Sequence, residues 1–430
     1  MRLAAAFLGG CLVALLVACG GGDAGTAATT TSSATAAATA SPEPTRASTA
    51  PVTATATATP TGTPAGSELS LEVKVGQLIF AGVPGTQVGS TAERLVGQLH
   101  IGNVVLMGEN AGTPSQVAAL TSQLQALARR SNGFGALIAT DQEGGTVQRL
   151  TQGFTRLPDA ASVGAAARPD LAREYGALVG SELSAVGVNM PLGPVLDVND
   201  NPANPVIGRR AFGSTVETVV ATGLPFIEGL RSAGVIAVGK HFPGHGNTET
   251  DSHFTLPVVK KSLDQLERTE LAPFEAAVAT GLDAVMVAHV AYPALDASGM
   301  PASLSPTIIT GLLKEQIGFR GVVVTDDLGM AGVAALMSPE DAALRAVQAG
   351  ADLVICVSLP CDATKVQARL LQAARSGELP AARLDDAVRR VTELKQRYRA
   401  GEAGPGRLDE VGSAAHRELV ATILAAAGGN

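Results

Sequence analysis

The residues best suited to chemistry lie between Lys240 and Leu256, in the stretch KHFPGHGNTETDSHFTL. This stretch holds three of the chain's six histidines. The apolar run VIAV leads into it and predicts a strand, after which Pro243, Gly244 and Gly246 interrupt regular structure. Because only 16% of the residues are charged, titratable groups concentrated on a loop behind a strand indicate an active site. The alternative is a polar surface loop with a helix cap.

Two parts of the sequence suit catalysis directly. Asp251 and His253 are separated by one residue, so in an extended loop the carboxylate can bind the imidazole and orient it as a general acid/base. Asp326 ends a strand-like run of valines and a threonine, GVVVTDD. A carboxylate at that point is well placed as a nucleophile or an electrostatic stabiliser. For Asp327 we favour a cap on the following helix.

Other polar side chains follow other predicted strands. Arg149, Arg210 and Lys240 supply donors for a polyhydroxylated or anionic ligand, although the two arginines also suit structural ion pairs. Asp141, in DQEGG, can accept hydrogen bonds from hydroxyl groups or begin a glycine-bounded turn. His289 suits a ligand contact as well as a packed position behind the site.

The chain from Ser70 onward alternates between short apolar runs and longer Ala/Leu-rich amphipathic stretches. The runs span residues 78–82, 103–108, 136–141, 189–198, 235–241, 284–290, 321–327 and 352–358. Strands that alternate with helices predict a parallel sheet, and eight units predict an α/β fold of the (β/α)8 TIM-barrel type. A doubly wound sheet is the alternative. We favour the barrel because polar groups follow so many strands, and the carboxyl ends of barrel strands converge on one mouth.

The amino terminus is predicted to lie outside the fold. Residues 1–18 have the charge and apolar run of a signal peptide, and LVACG resembles the lipobox of bacterial lipoproteins, with Cys19 as the lipidated residue. An ordinary signal peptide with an incidental cysteine is the alternative. Residues 19–66 are Ala, Thr, Ser and Pro in low-complexity order and predict a tether. We therefore expect a membrane-anchored lipoprotein outside the cytoplasm, with the barrel at 67–402 and a helix-containing tail at 403–430.

Composition narrows the remaining function classes. The net charge of −8 gives no basic face for nucleic acid. Cys356 and Cys361 are near each other and can form a disulfide in an exported protein, but two cysteines without a second pair are a poor zinc signal. We expect no metal, no cofactor and a monomer.

Several motifs occur in an order that resembles a known family. They are DQEGGTVQRL (141–150), VIGRRAFG (206–213), KHFPGHGNTETDSH (240–253), MVAHVAYP (286–293) and VVTDDLGM (323–330). From Ser70 to Arg397 the chain resembles the single-domain β-N-acetylhexosaminidases of glycoside hydrolase family 3. The resemblance implies a TIM barrel, Asp326 as the nucleophile, and His253 paired with Asp251 as the acid/base. It implies that a shared set of residues holds a terminal N-acetylglucosamine: Asp141, Arg149, Arg210, Lys240 and His241. We assign His289 to the same substrate-binding set.

The resemblance also implies a reaction. It is retaining hydrolysis of terminal non-reducing β-linked N-acetylglucosamine from peptidoglycan fragments or related glycans, with phosphorolysis left open. The sequence departs from the expected pattern at Thr146 and Arg209, where Arg and Asp are expected, and at Asn247, which is often acidic. Two alternatives remain. One is a non-catalytic sugar-binding lipoprotein. The other is a metal-dependent TIM-barrel hydrolase that uses a shared set of ligands: His241, His245, His253, His289 and Asp326.

Overall fold

The computed structural model describes residues 69–402 and 406–428. The predicted signal peptide, Cys19 and the predicted tether lie outside the described residues and stay predictions.

Eight parallel strands form the centre of the fold. They are β1 (Ile79–Gly82), β2 (Asn103–Leu106), β3 (Leu137–Thr140), β4 (Met190–Pro191), β5 (Val238–Phe242), β6 (Ala284–Val287), β7 (Val322–Asp327) and β8 (Leu353–Cys356). Their order in the sheet is β4-β3-β2-β1-β8-β7-β6-β5, with parallel pairing throughout. The predicted (β/α)8 barrel is confirmed.

The barrel closes between the fourth and fifth strands. Val195 forms a parallel bridge with Lys240; the Lys240 N–H donates to the Pro194 carbonyl (3.0 Å) and the Leu196 N–H to the Lys240 carbonyl (2.6 Å). The predicted run 189–198 is therefore only partly regular strand. Pro194 interrupts the hydrogen-bonded ladder because it has no N–H to donate.

Buried side chains from alternate strand positions fill the barrel, as a two-residue period requires. They include Phe80, Val105, Leu137, Met190, Val238, Ala284, Val324 and Ile355. The opposite strand faces are buried against the helices, so the strands are buried on both faces, as the near-continuous apolar runs predict.

The helices surround the sheet. In chain order they are α1 (Leu71–Gly76), α2 (Ser90–Ala92), α3 (Pro114–Asn132), α4 (Ala160–Ala165), α5 (Pro169–Ala185), α6 (Val216–Ser232), α7 (Leu263–Leu266), α8 (Ala272–Ala279), α9 (Ala331–Ala334), α10 (Pro339–Ala349), α11 (Ala363–Ser376), α12 (Ala381–Arg397) and α13 (Ala414–Ala426). π-Helical segments extend three of the crossovers: Glu93–Gln98, Glu267–Leu271 and Thr307–Gln316. Within the described ranges, no helix combines the length and apolar character needed to cross a bilayer.

Helix α12 closes the end of the barrel opposite the strand carboxyl ends. Val391 and Leu394 pack into the interior cluster. The Lys395 ammonium donates to the Gln77 side chain (2.6 Å) and to the Gly102 carbonyl (3.0 Å), which precede β1 and β2. In the described part of the chain, this packing fills the end of the barrel opposite the mouth.

Candidate active site

A cavity of about 360 Å³ opens at the carboxyl ends of the strands, within the usual range of about 300–1,000 Å³ for small-molecule sites. Polar residues that the sequence singled out line it together: Asp141, Arg149, Arg210, Lys240, His241, His253 and Asp326. Apolar residues form the rest of its wall, among them Met107, Leu192, Met286 and Val357. The carboxyl-terminal ends of β5 and β7 and the loops after β3, β4 and β5 supply the polar groups, as barrel geometry predicts.

Asp326 lies at the end of β7 and accepts a hydrogen bond from the Asp327 N–H (2.8 Å) on one oxygen. Burial alone would raise the pKa of its carboxyl group, but the neighbouring imidazoles of His241 and His289, that N–H and the Lys240 ammonium lower the pKa to about 2. Its other oxygen accepts no hydrogen bond from the described part of the chain. Asp326 is therefore an ionised carboxylate with a free oxygen at a cavity wall, which is what a nucleophile requires.

Asp327 does not cap the following helix, so that interpretation was wrong. Its carboxylate accepts hydrogen bonds from the N–H groups of Val357 (3.1 Å), Ser358 (2.9 Å) and Gly329 (3.2 Å). Burial raises the pKa of this carboxyl group. Asp327 holds the loop after β8 against the end of β7, because three backbone donors converge on its two oxygens.

His289 lies behind the cavity wall, which differs from our assignment of it to sugar binding. Its side chain is fully buried. Nε2 is 3.0 Å from the Asp327 carbonyl, which can only accept, so Nε2 carries the proton; Nδ1, 2.7 Å from the Ser303 hydroxyl, then accepts. Burial lowers the pKa of the ring. A neutral His289 thus fixes the peptide next to Asp326, and no ring nitrogen is left for a ligand.

The structure pairs Asp251 with His253 as the sequence predicts. Nδ1 of His253 is 2.7 Å from a carboxylate oxygen of Asp251, which also accepts the His253 backbone N–H (2.8 Å). Because a carboxylate only accepts, Nδ1 carries a proton and Nε2 is left for proton transfer. The His253 side chain is 58% exposed, so substrate and water can reach it.

The loop that carries this pair is anchored at its base. His245 is 2% exposed, and its ring bridges the hydroxyls of Thr248 (2.9 Å) and Ser252 (3.0 Å). Burial, followed by the charge of His241, lowers its pKa to about 4, so the ring is neutral. A Cβ on Gly246 would lie 1.9 Å from the Val198 carbonyl, so the loop packs on backbone at a point where only glycine fits. These contacts fix the segment that leads to His253.

Charged side chains of alternating sign form the part of the cavity wall supplied by β5 and by the loops after β3 and β4. The Lys240 ammonium lies 3.0 Å from Asp141 and 2.6 Å from Glu143. Arg210 forms two parallel hydrogen bonds to Glu143 (2.8 and 2.9 Å), and Arg149 approaches Asp141 at 3.4 Å. Burial alone would raise the pKa of Glu143, but Lys240 and Arg210 hold it well below its usual range. The cations are therefore fixed in place by buried anions before any ligand binds.

Sequence reasoning missed Glu143 and Asp197. Glu143 stands two residues after Asp141, where alternation puts both side chains on one face, and this is the signal that could have found it. Asp197 ends the fourth apolar run and is fully buried. It accepts hydrogen bonds from Nδ1 of His241 (2.7 Å) and from the backbone N–H of His245 (2.7 Å). His241 thus carries its proton on Nδ1 and presents Nε2 toward Arg210 (3.4 Å).

The comparison with protein families decides the family. The family model described as "Glycosyl hydrolase family 3 N terminal domain" matches residues 70–394 of this chain. The chain belongs to glycosyl hydrolase family 3. It is a glycoside hydrolase, and the match covers the whole barrel and every residue of the site described above.

Curated relatives and solved structures agree with this assignment. A β-hexosaminidase of Thiobacillus denitrificans is 40% identical over 67% of this chain and 80% of its own. The structure of a family 3 β-N-acetylglucosaminidase from Paenibacillus sp. is 42% identical, with a TM-score of 0.80, over 83% of this chain and 68% of that one. A β-N-acetylhexosaminidase from Beutenbergia cavernae is 36% identical, with a TM-score of 0.72, over 76% of this chain and 99% of its own.

The three departures from the expected family pattern lie outside the main cavity. Arg209 forms two hydrogen bonds with Asp159 (2.7 and 2.9 Å). Thr146 and Arg209 line a separate cavity of about 300 Å³ next to Glu143, and the Asn247 side chain donates to Asp200 (2.8 Å). None of the three replaces a group on the wall of the main cavity.

The four histidines of the metal-dependent alternative each use at least one ring nitrogen for a protein partner. His245 and His289 each use both ring nitrogens for hydrogen bonds, and Nδ1 of both His241 and His253 is bonded to a carboxylate. Among residues 69–402 and 406–428, no three side chains of the usual ligand types are grouped to hold a metal ion. The arrangement suits acid/base and nucleophilic chemistry carried out by side chains.

Proposed function

We propose that this protein hydrolyses terminal non-reducing β-linked N-acetylglucosamine with retention of configuration. The observation that carries the proposal is one cavity that holds both the ionised carboxylate of Asp326 and the free Nε2 of the Asp251–His253 pair. Most retaining glycosidases use two carboxyl groups. Here the second role falls to an imidazole whose orientation a carboxylate fixes.

In the first step, the free oxygen of Asp326 attacks the anomeric carbon as the bond to the glycosidic oxygen breaks. His253 gives the Nε2 proton to the departing oxygen. Since Nδ1 keeps its own proton toward Asp251, the acid form is the imidazolium, and the adjacent carboxylate stabilises its charge. The products of this step are a glycosyl-enzyme on Asp326 and the free aglycone alcohol.

In the second step, the neutral Nε2 of His253 accepts a proton from water. The resulting hydroxide attacks the anomeric carbon from the opposite side and releases Asp326. Two inversions give net retention. The imidazolium is regenerated, so the cycle needs no other proton donor.

The walls of the cavity suit a single terminal sugar. Asp141 and Arg149 present an acceptor and donors for ring hydroxyls, and Arg210 and His241 lie beside them. Met286 and Leu192 also line the cavity and can pack against the apolar face of the ring or an acetyl methyl group. The similarity to a β-hexosaminidase and to a β-N-acetylglucosaminidase supports an N-acetylated hexose.

We further infer that the protein acts outside the cytoplasm, anchored through Cys19, on peptidoglycan fragments or related glycans. The amino-terminal sequence supports export. The bond between Cys356 and Cys361 also supports it, since disulfides persist mainly in oxidising compartments.

Hydrolysis of an aryl β-N-acetylglucosaminide in excess chelator tests the proposed function. We expect full activity, the β-anomer as first product by NMR, and no phosphorylated sugar when phosphate is added. Chelator-sensitive activity would support a metal enzyme, and binding without turnover would support a sugar-binding protein. Accumulation of a sugar 1-phosphate would replace hydrolysis with phosphorolysis, the activity named for a β-glucoside phosphorylase that is structurally similar and 26% identical.

Glu143→Gln is expected to reduce both stability and activity. The change leaves two buried cations with one anion, and breaking a buried pair costs about 3–5 kcal/mol. We expect the free energy of unfolding in urea to fall by roughly 3 kcal/mol. The kcat/KM should fall at least tenfold, because Lys240 and Arg210 lose their common partner.

Glu228→Gln is the matched control, since its pair with Arg173 is exposed at the surface, and it should change stability by less than about 1 kcal/mol. Equal effects for both variants would contradict a role for Glu143 in the site.

A further inference from the structure

Exposed apolar side chains are concentrated at the mouth of the barrel. Within the described ranges, the large hydrophobic residues that are exposed are Phe254 (77%), Val258 (43%), Leu263 (45%), Leu336 (47%), Leu359 (90%) and Leu424 (38%). All but Leu424 lie between the end of a barrel strand and the early part of a following helix. Such clustering differs from the single scattered residues that need no explanation.

Two of these side chains stand next to residues that line the cavity. Phe254 follows the acid/base residue His253 directly, and Leu359 follows Ser358. Phe254 is notable in a chain with only 3% aromatic residues and no Trp. Together, Phe254 and Leu359 form what we call the apolar rim.

Hydrogen bonds join the loops that carry the rim. The Gly332 N–H donates to the Ser252 carbonyl (3.1 Å), which ties the loop after β7 to the acid/base loop. Asp327 binds the backbone of Ser358 (2.9 Å), which ties the loop after β8 to the end of β7. The loop that carries Phe254 is therefore hydrogen-bonded to the segment after β7, and the loop that carries Leu359 is hydrogen-bonded to the end of β7 itself.

The loop of Leu359 is also closed covalently. The disulfide joins Cys356 and Cys361, which are five positions apart, and encloses Leu359. A short closed loop has few conformations, so it can hold an exposed leucine at a fixed point on the rim. Exposure of this leucine is unfavourable, because burial of its side chain would lower the free energy of the folded state.

We propose that the apolar rim is the binding site for the sugar unit on the leaving side of the cleaved bond. The inference rests on the proposed function. His253 must reach the glycosidic oxygen, which joins the terminal sugar in the cavity to the next unit. The residue beside His253 therefore borders that next unit. The C–H faces of a pyranose are apolar and pack against an aromatic ring and a leucine, so the rim fits a second sugar ring in particular.

The test compares two substrates that require the same acid catalysis. One is the disaccharide N-acetylglucosaminyl-β-1,4-N-acetylglucosamine, and the other is methyl β-N-acetylglucosaminide, whose leaving group is too small to reach the rim. Phe254→Ala is expected to raise KM for the disaccharide about fivefold, a typical value for one lost aromatic contact. Leu359→Ala should raise it about threefold. Neither change should alter kcat/KM for the methyl glycoside, which shows that fold and acid/base remain intact.

Leu263→Ala is the matched control, because Leu263 is exposed on the same face at the start of α7. It should leave both substrates unchanged. Equal effects of Phe254→Ala on the two substrates, or no effect on either, would overturn the rim proposal. If the unaltered protein hydrolyses neither substrate, the proposed function itself fails, and the two failures are thereby distinguished.

Discussion

Asp326→Ala is expected to abolish turnover. The variant removes the carboxylate that we propose as the nucleophile, so the loss should be at least roughly 10³-fold, or about 4 kcal/mol of barrier. The low pKa of Asp326, about 2, keeps the carboxylate ionised throughout the neutral range. The measurement is kcat/KM on an aryl β-N-acetylglucosaminide, with unfolding in urea to show that the variant is folded.

Asp327→Asn is the control that tests the assignment of these neighbouring carboxylates. The amide oxygen of Asn can still accept from the Val357 or Ser358 N–H, so the loop after β8 should remain in place and substantial activity should persist. A dead Asp327→Asn variant beside an active Asp326→Ala variant would place the nucleophile one residue further on. Both residues lie in β7, where successive side chains point to opposite faces. That result would therefore also require the two side chains at the end of the strand to exchange faces.

His253→Ala should slow poor leaving groups far more than activated ones such as nitrophenol. A good leaving group departs without a proton, so loss of the acid costs little in the first step. The second step still lacks its base, and a glycosyl-enzyme should accumulate on Asp326 with burst kinetics. Azide should restore turnover because it attacks without a general base. These rates are measured with a nitrophenyl and an alkyl glycoside on the same preparation.

Asp251→Ala should show a milder form of the same behaviour, because the imidazole remains but its orientation and charge are no longer supported. Equal losses for both substrates in His253→Ala, without a burst or azide rescue, would remove the acid/base role. His253 would then be a binding residue, and another group would have to protonate the leaving oxygen.

The sequence predicted the barrel well because its signals are local and repeated. Each strand is a short apolar run, and the runs recur with helices between them. The fourth was the exception: Gly193 and Pro194 lie within an apolar run, so hydrophobicity alone overstated the length of regular strand. The closing pairs at Val195 and Lys240 depend on the curvature of the whole sheet, which no local pattern encodes.

Site residues could be predicted from the sequence where the residue type and its immediate sequence neighbours indicate a chemical role. Asp326 and the Asp251–His253 pair belong to this class. The roles of three other carboxylates were not visible in this way, because their partners come from other loops: Glu143, Asp197 and Asp327. Glu143, for example, binds Arg210, which lies 67 positions further along the chain. His289 was misplaced for the same reason, since only packing shows that its ring points at a backbone carbonyl.

The alternating charges along the cavity wall have a consequence for where the enzyme can work. Lys240 and Glu143 are only 2% and 4% exposed, and buried pairs are screened much less than surface pairs by dissolved ions. The electrostatic arrangement that receives the sugar is thus insulated from changes in ionic strength. This insensitivity would suit the exported location that we propose, where the cell does not control the salt content of the surrounding water.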